Sequence, residues 1–91
     1  MKKEELKTNM VVVLANGKQG IIVGFNNIPT HIIFNSFTNP VSMFNDNLEH
    51  KNPSYNIVKI YDGSKALEID DILRLIRCKK CIENLPIIWE K

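Results

Sequence analysis

Short runs of β-branched residues, separated by polar turns, occupy the first two thirds of the chain. Two of these runs, Met10–Leu14 and Gln19–Phe25, flank the dipeptide Asn16-Gly17. Because Asn and Gly tolerate positive φ angles, this dipeptide favours a two-residue type I′ turn. The pattern predicts a β-hairpin over residues 10 to 25.

Three more short strands are predicted in the residues that follow. His31–Phe34 and Val41–Phe44 are apolar runs bounded by Asn, Ser and Pro, and Asn56–Tyr61 alternates between apolar and polar residues. Between the last two, residues 45 to 54 are rich in Asn and have Leu48 as their only aliphatic side chain. This composition indicates a surface loop that is pinned by one leucine.

The number and shortness of these strands favour a sheet that closes on itself. Gly20 and Gly24 lie inside the second strand, where glycine is typical of a bulge or a sharp bend. Closure hides the edges of so short a sheet. We therefore expect a mainly β (α+β) fold, a small SH3-like antiparallel barrel of about five or six short strands, with the barrel strands within residues 10–61.

The hydrophobic period changes after Gly63. Aliphatic residues then recur so that, at about 100° per residue, they share one face of a helix. Asp70 and Asp71 occupy the first turn, where the helix dipole favours anions. One amphipathic helix is predicted over about residues 68–79, fraying near Cys78–Cys81 because a longer helix would place Lys80 on the apolar face. The residues of that face are Ile69, Ile72, Leu73 and Ile76.

The C-terminal residues return to a β pattern. Ile87, Ile88 and Trp89 form an apolar run, and Pro86 stands at its start, where a missing backbone donor is tolerated. A last strand is predicted over about residues 86–90.

Length and composition limit what this fold can do. The 91 residues are 44% hydrophobic and 24% charged, which suits a single domain over residues 1–91. A domain of this size holds one modest core, so a deep enclosed active site is not expected. The net charge is +2, from 12 Lys and Arg against 10 Asp and Glu, and this is no electrostatic footprint for wrapping duplex DNA.

The cysteine count and the apolar runs bear on location. Two thiols are too few for the disulfide framework of small secreted domains, so we expect a reducing, cytoplasmic location. Met10–Ala15 is the longest apolar run near the N-terminus, and it is too short for a signal core or a membrane span. We expect no association with a membrane.

Several short segments follow one another in an order that matches a known pattern. They are Leu6-Lys7-Thr8, Met10-Val11-Val12, Asn16-Gly17-Lys18, Gly20-Ile21, Asn45-Asp46-Asn47-Leu48, Ile57–Tyr61 and Ile88-Trp89-Glu90-Lys91. In these segments the chain resembles small, uncharacterised phage and prophage proteins of low-GC Gram-positive bacteria. Asn9 stands where those proteins usually carry Gly, and Asn keeps access to a left-handed backbone. The resemblance implies the expected fold, a mobile-element origin and the cytoplasm of a bacterial host, and it supplies no catalytic residue.

The motif from Cys78 to Cys81, with Lys79 and Lys80 between the thiols, is the one that suggests chemistry. Two thiols at this spacing suit a metal or a reversible disulfide, and nearby cations favour the thiolate. A structural zinc site needs four ligands, however, and the histidines are far away in sequence. The predicted position at the C-terminal end of a helix also raises thiol pKa values. Spectator cysteines are therefore the favoured interpretation, a redox or metal role is the alternative, and no cofactor is expected.

A run of cations without an acid spans the end of the predicted helix. Such a patch suits phosphate backbones, which makes a nucleic-acid-binding barrel one hypothesis. The last turn of any helix also favours cations, and Asp70 and Arg74 form an i,i+4 pair, so the run needs no ligand. Nucleic acid is thus the second choice of partner. The cations are Arg74, Arg77, Lys79 and Lys80.

The sequence lacks the motifs of the common catalytic classes. It has no GxSxG, HExxH, Walker or GxGxxG pattern, so we expect no enzymatic activity. Our first hypothesis is a small phage or prophage accessory protein that acts by binding a protein partner from host or phage. The alternative is an SH3-like barrel that binds nucleic acid through the four cations at the end of the helix. The sequence leaves the oligomeric state open.

Overall fold

The computed structural model describes residues 1–65 and 68–91, and its main feature is a six-stranded antiparallel sheet. The strands are β1 (Met10–Leu14), β2 (Gln19–Phe25), β3 (Ile28–Phe34), β4 (Thr38–Pro40), β5 (Ile57–Asp62) and β6 (Ile87–Glu90), and the helices are α1 (Ile69–Arg77) and α2 (Lys79–Glu83). The spatial order is β4-β3-β2-β1-β5-β6, so the sheet is open and has β4 and β6 as its edges. The prediction of a mainly β fold with helical structure in the C-terminal half is confirmed.

Two hydrophobic clusters cover the two faces of this sheet. Successive side chains of a strand point to opposite faces, so Val11 and Val12 of β1 belong to different clusters. The first cluster, on one face, consists of Leu6, Val12, Leu14, Ile22, Ile32, Phe34, Val41, Phe44, Leu48, Ile57 and Ile60. The second cluster, beneath the helices, consists of Val11, Ile21, Tyr61, Leu75, Ile76 and Ile82. Burial on both faces explains why the central strands are apolar at nearly every position.

The two hairpins at the start of the sheet use different turns. A three-residue loop joins β1 to β2, because the Leu14 N–H donates to the Lys18 carbonyl at 2.8 Å and only Gly17 has a positive φ, of 87°. The predicted two-residue type I′ turn at this point is therefore wrong. The tight turn lies in the next hairpin, where Asn26 and Asn27 both have positive φ angles, of 52° and 63°.

The predicted fourth strand is also wrong. Val41–Met43 forms a turn of 3-10 helix, and β4 precedes it at Thr38–Pro40. Pro40 has no backbone donor and does not continue a ladder. The side chains of Val41 and Phe44 are both buried, and their spacing of three matches the period of a 3-10 turn rather than that of a strand.

The loop between this turn and β5 is held by Leu48, as predicted. Leu48 is fully buried in the first cluster, although its φ of 65° lies in the left-handed region that a non-glycine residue seldom adopts. The Asn45 side chain accepts hydrogen bonds from the N–H groups of Asn47 and Glu49, which shapes the loop around the leucine. The Leu48 carbonyl then accepts from Ile57 N–H at 3.0 Å and joins the loop to β5.

Two further backbone predictions are confirmed. The register between β2 and β3 shifts at Gly24, where an added Cβ would collide with the Ile28 carbonyl. Asn9 has a φ of 69°, the left-handed conformation that the resemblance implies for this position, and its N–H donates to the Ile22 carbonyl.

The single predicted helix is two helices in the structure. α1 ends at Arg77, and the chain turns at Cys78 (φ −107°, ψ 109°) before α2 begins. The prediction of fraying over residues 78–81 is therefore wrong. A straight continuation would bury Lys80, whereas the turn leaves Lys80 exposed and brings Ile82 into the second cluster.

The buried face of α1 differs in part from the predicted one. Leu75 and Ile76 are buried against the sheet, and Ile72 and Leu73 are half-buried. Ile69 is 68% exposed, so its place on the core face is wrong. The helix is rotated so that Leu75 reaches the second cluster. No helix in the described part of the chain has the length and apolar character needed to cross a membrane.

We expect the substitution Leu48→Ala to lower the free energy of unfolding by about 2–5 kcal/mol, because it opens a cavity under the loop. The exposed aliphatic Ile69 provides the control, and Ile69→Ala should change the same quantity by no more than about 0.5 kcal/mol. Urea unfolding followed by tryptophan fluorescence measures both. Equal effects for the two variants would contradict the packing role of Leu48.

Candidate functional site

Gln19 is the polar side chain around which the helical layer is anchored. It is 6% exposed, and its Nε2 donates to the carbonyls of Leu75 and Cys78, both at 2.9 Å. The last carbonyls of a helix have no partner within the helix, so the first bond satisfies the Leu75 carbonyl. The second bond adds to the one that the Cys78 carbonyl accepts from the Cys81 N–H. Gln19 thereby fastens the junction of α1 and α2 to the start of β2.

One cleft beside Gln19 is lined by aromatic rings, and we call it the aromatic cleft. The rings of Phe34 and Phe37 stack with centroids 4.6 Å apart, and Lys18 Nζ lies 5.1 Å from the centroid of the Phe37 ring. Arg77 Nε donates to Asn35 Oδ1 at 2.9 Å across the opening. The cleft has a volume of about 260 Å³, and its charged lining residues are both cations.

A second cleft lies on the other side of Gln19, and we call it the tyrosine cleft. It has a volume of about 420 Å³ and lies between α2 and the β5–β6 edge of the sheet, with Tyr61, Ile82 and Ile87 in its wall. Lys59 Nζ lies 5.0 Å from the Tyr61 ring centroid and 3.4 Å from Glu90 Oε2. The hydrogen bond with Tyr61 and the Glu90 carboxylate raise the pKa of Lys59.

Three of the four cations proposed for nucleic acid line different clefts. Arg77 lines the aromatic cleft, Lys79 lines the tyrosine cleft, and Arg74 lines a third cleft beside Cys81. Lys80 is exposed on α2. The turn at Cys78 separates Arg74 and Arg77 of α1 from Lys79 and Lys80 of α2.

The two cysteines lie at the turn between the helices. Cys78 follows the last residue of α1 and precedes the first residue of α2, and Cys81 lies in the first turn of α2. The Cys81 thiol, which hydrogen-bonds to Cys78, lowers the pKa of Cys78, and the same contact raises the pKa of Cys81. The predicted upward shift is therefore wrong for Cys78. Among residues 1–65 and 68–91, no three His, Cys, Asp or Glu side chains converge as metal ligands do.

The β6 edge carries apolar side chains whose exposure the sequence did not predict. Ile87 is 54% exposed and Ile88 is 40% exposed. The Lys91 N–H donates to the Val58 carbonyl, and Trp89 lies opposite Ile60, so alternation along β6 turns the backbone groups of Glu90 away from β5. The register shift between Ile60 and Tyr61 interrupts this alternation at Ile88. The sequence predicts this strand, but it contains no signal that the strand lies at an edge.

We expect the substitution Gln19→Leu to lower the free energy of unfolding by about 1–3 kcal/mol, because the buried Leu75 carbonyl loses its side-chain donor and the Cys78 carbonyl loses one of its two donors. Urea unfolding measures this change. Asn35→Ala removes an exposed side-chain hydrogen bond and should cost no more than about 0.5 kcal/mol. A Gln19→Leu protein as stable as the parent would show that Gln19 does not anchor the helices.

Neither the protein-family models, the curated proteins nor the solved structures contain a significant match to this chain. The features that bear on function are the clefts, the thiols and the sheet edge.

Proposed function

We propose that the protein is a non-catalytic binding module that holds an extended segment of a protein partner along the free edge of β6. The observation that carries this proposal is the β6 edge itself, with outward backbone groups at Glu90 and the exposed side chains of Ile87 and Ile88 beside them. An edge strand offers unpaired N–H and C=O groups, and an extended peptide satisfies them by adding one strand to the sheet.

The tyrosine cleft supplies side-chain selectivity next to this edge. Ile87 belongs both to β6 and to the wall of the cleft, so a residue of the added strand can enter it. The apolar wall of Tyr61 and Ile82 favours an aliphatic or aromatic side chain. Lys79 and Glu83 flank the cleft and favour charged or polar neighbours. The partner segment is therefore an extended strand with one apolar anchor and polar residues beside it.

The other edge of the sheet is poorly suited to the same role. β4 has three residues, and Pro40 at its end lacks a backbone donor. The 3-10 turn that follows leads the chain away from the sheet. Of the two edges, β6 is therefore the one open to strand addition.

The proposal extends to the fold type and the setting. The central strand β1 pairs with both β2 and β5, and residues 41–57 contribute side chains to the first cluster. These two features support an assignment to the SH3-like barrel type. In this variant of the type, the edge strands β4 and β6 do not pair with each other. The resemblance to phage and prophage proteins supports an accessory role in the cytoplasm of a bacterial host, with a host or phage protein as the partner.

One observation favours nucleic acid as a second candidate partner. In the aromatic cleft, Lys18 and Arg77 lie beside the half-buried Phe37 ring, and cations next to an aromatic face are typical of single-strand binding. The cleft holds one such ring and two cations. The aromatic cleft therefore offers fewer contacts to a partner than the β6 edge does.

The substitution Glu90→Pro tests strand addition directly. It removes an N–H that points away from β5, so the sheet keeps its ladder while the edge loses a donor. Glu90→Ala is the matched control, because it removes the same carboxylate beside Lys59 but keeps the N–H. We expect proteins cross-linked to β6 in host lysate to be lost, at least about tenfold, with Glu90→Pro and retained with Glu90→Ala, in low and moderate salt alike.

The double substitution Lys18→Glu, Arg77→Glu separates the second candidate from the first, because it reverses both cations of the aromatic cleft. Protein capture through β6 should be unchanged by it, whereas binding of a fluorescent single-stranded oligonucleotide should fall steeply with salt and with charge reversal. Capture that tolerates Glu90→Pro but not the charge reversal would overturn the β6 proposal in favour of nucleic acid.

A further inference from the structure

We propose that Cys78 and Cys81 form a reversible dithiol–disulfide site, with Cys78 as the attacking thiol and Cys81 as the resolving thiol. The modifying agent is a low-molecular-weight disulfide of the glutathione class. The proposal concerns a stoichiometric modification of this protein, and it does not rest on the proposed binding function.

The backbone turn at Cys78 brings the two thiols together. In a continuous helix, residues three apart have Cβ atoms about 5–6 Å apart, which exceeds the span of about 3.5–4.5 Å that a disulfide needs. Cys78 is extended rather than helical and stands directly before α2, and its thiol contacts the Cys81 thiol. The helical spacing that would keep the two thiols apart therefore does not apply at this turn.

The main chain of Cys78 is held in place while its side chain stays accessible. Its N–H donates to the Arg74 carbonyl at 2.8 Å, and its carbonyl accepts from Gln19 Nε2 at 2.9 Å and from the Cys81 N–H at 3.2 Å. Both cysteines are half-buried and carry free thiols. A fixed backbone with two accessible thiols lowers the entropy cost of closing so small a ring.

The surroundings give the two thiols different reactivity. The hydrogen bond from Cys81, and then Lys80, lower the pKa of Cys78 and favour its thiolate, so we assign it as the attacking thiol. Contact with Cys78 raises the pKa of Cys81, which therefore retains its proton more firmly. Cys81 also lines a cleft of about 330 Å³ with Arg74 and Leu85, which leaves space beside the resolving thiol.

The exchange is balanced in two steps. The Cys78 thiolate attacks one sulfur of the small disulfide, the S–S bond breaks, and one small thiolate leaves and takes up a proton. Cys81 then loses its proton and attacks the Cys78 sulfur, expelling the second small thiolate. Two protein thiols are oxidised to one disulfide, and one small disulfide is reduced to two thiols.

The experiment uses the full chain, reduced and then exposed to oxidised glutathione in the presence of a chelator. We expect intact mass spectrometry to show the loss of two hydrogens without a glutathione adduct, and peptide mapping to place the bond between Cys78 and Cys81. The Cys81→Ser variant should stop at one glutathione on Cys78. The Cys78→Ser variant should form its glutathione adduct more slowly than Cys81→Ser does, at about one third of that rate or below.

Three results would overturn the proposal: two glutathiones on the parent chain, disulfide-linked dimers as the main product, or faster reaction of Cys78→Ser than of Cys81→Ser. Circular dichroism of each variant checks that it is folded. The parent chain alone keeps the test decisive if a variant fails to fold, because its peptide map shows whether the internal bond forms.

Discussion

Val11 and Val12 point to opposite faces of β1, and both are completely buried. The strand lies in the middle of the sheet, between β2 and β5, so each of its side chains needs a cover of its own. The N-terminal segment and residues 41–57 cover one face, and the two helices cover the other. Removal of either cover would expose a continuous apolar surface, and the remaining architecture follows from this double burial.

The helical cover is held by apolar packing and by one polar clamp. Gln19 begins β2 and satisfies carbonyls at the junction of α1 and α2, so the position of that junction is set by the sheet. The aromatic cleft, the tyrosine cleft and Cys78 all adjoin this clamp. Surface features that are far apart in sequence are therefore all positioned next to Gln19. The β6 edge is reached from it across the tyrosine cleft.

Local patterns predicted most of the strands because apolar β-branched runs depend on immediate neighbours. The type of turn between β1 and β2 was harder to predict from the sequence. The three-residue loop containing Gly17 depends on the strand register that pairs Val13 with Gln19, and this register is a tertiary property. The run Val41–Met43 was predicted as part of a strand. It forms a 3-10 turn after Pro40, and this turn buries Val41. The sequence could not predict that β6 is an edge strand, for a similar reason. The position of β6 follows from sheet order, and no residue within it encodes that order.

The pairing of β1 with β5 also constrains how the chain reaches its final form. Met10 lies opposite Asp62, whereas β1, β2 and β3 are joined by short loops. Contacts close in sequence form with little loss of chain entropy, so a three-stranded meander assembles well before the far partner docks. During synthesis on the ribosome, the flank of β1 that later receives β5 is therefore open and strongly apolar. An unpaired apolar strand edge favours mispairing, so we expect this flank to be exposed to it until the segment through Asp62 is available to pair.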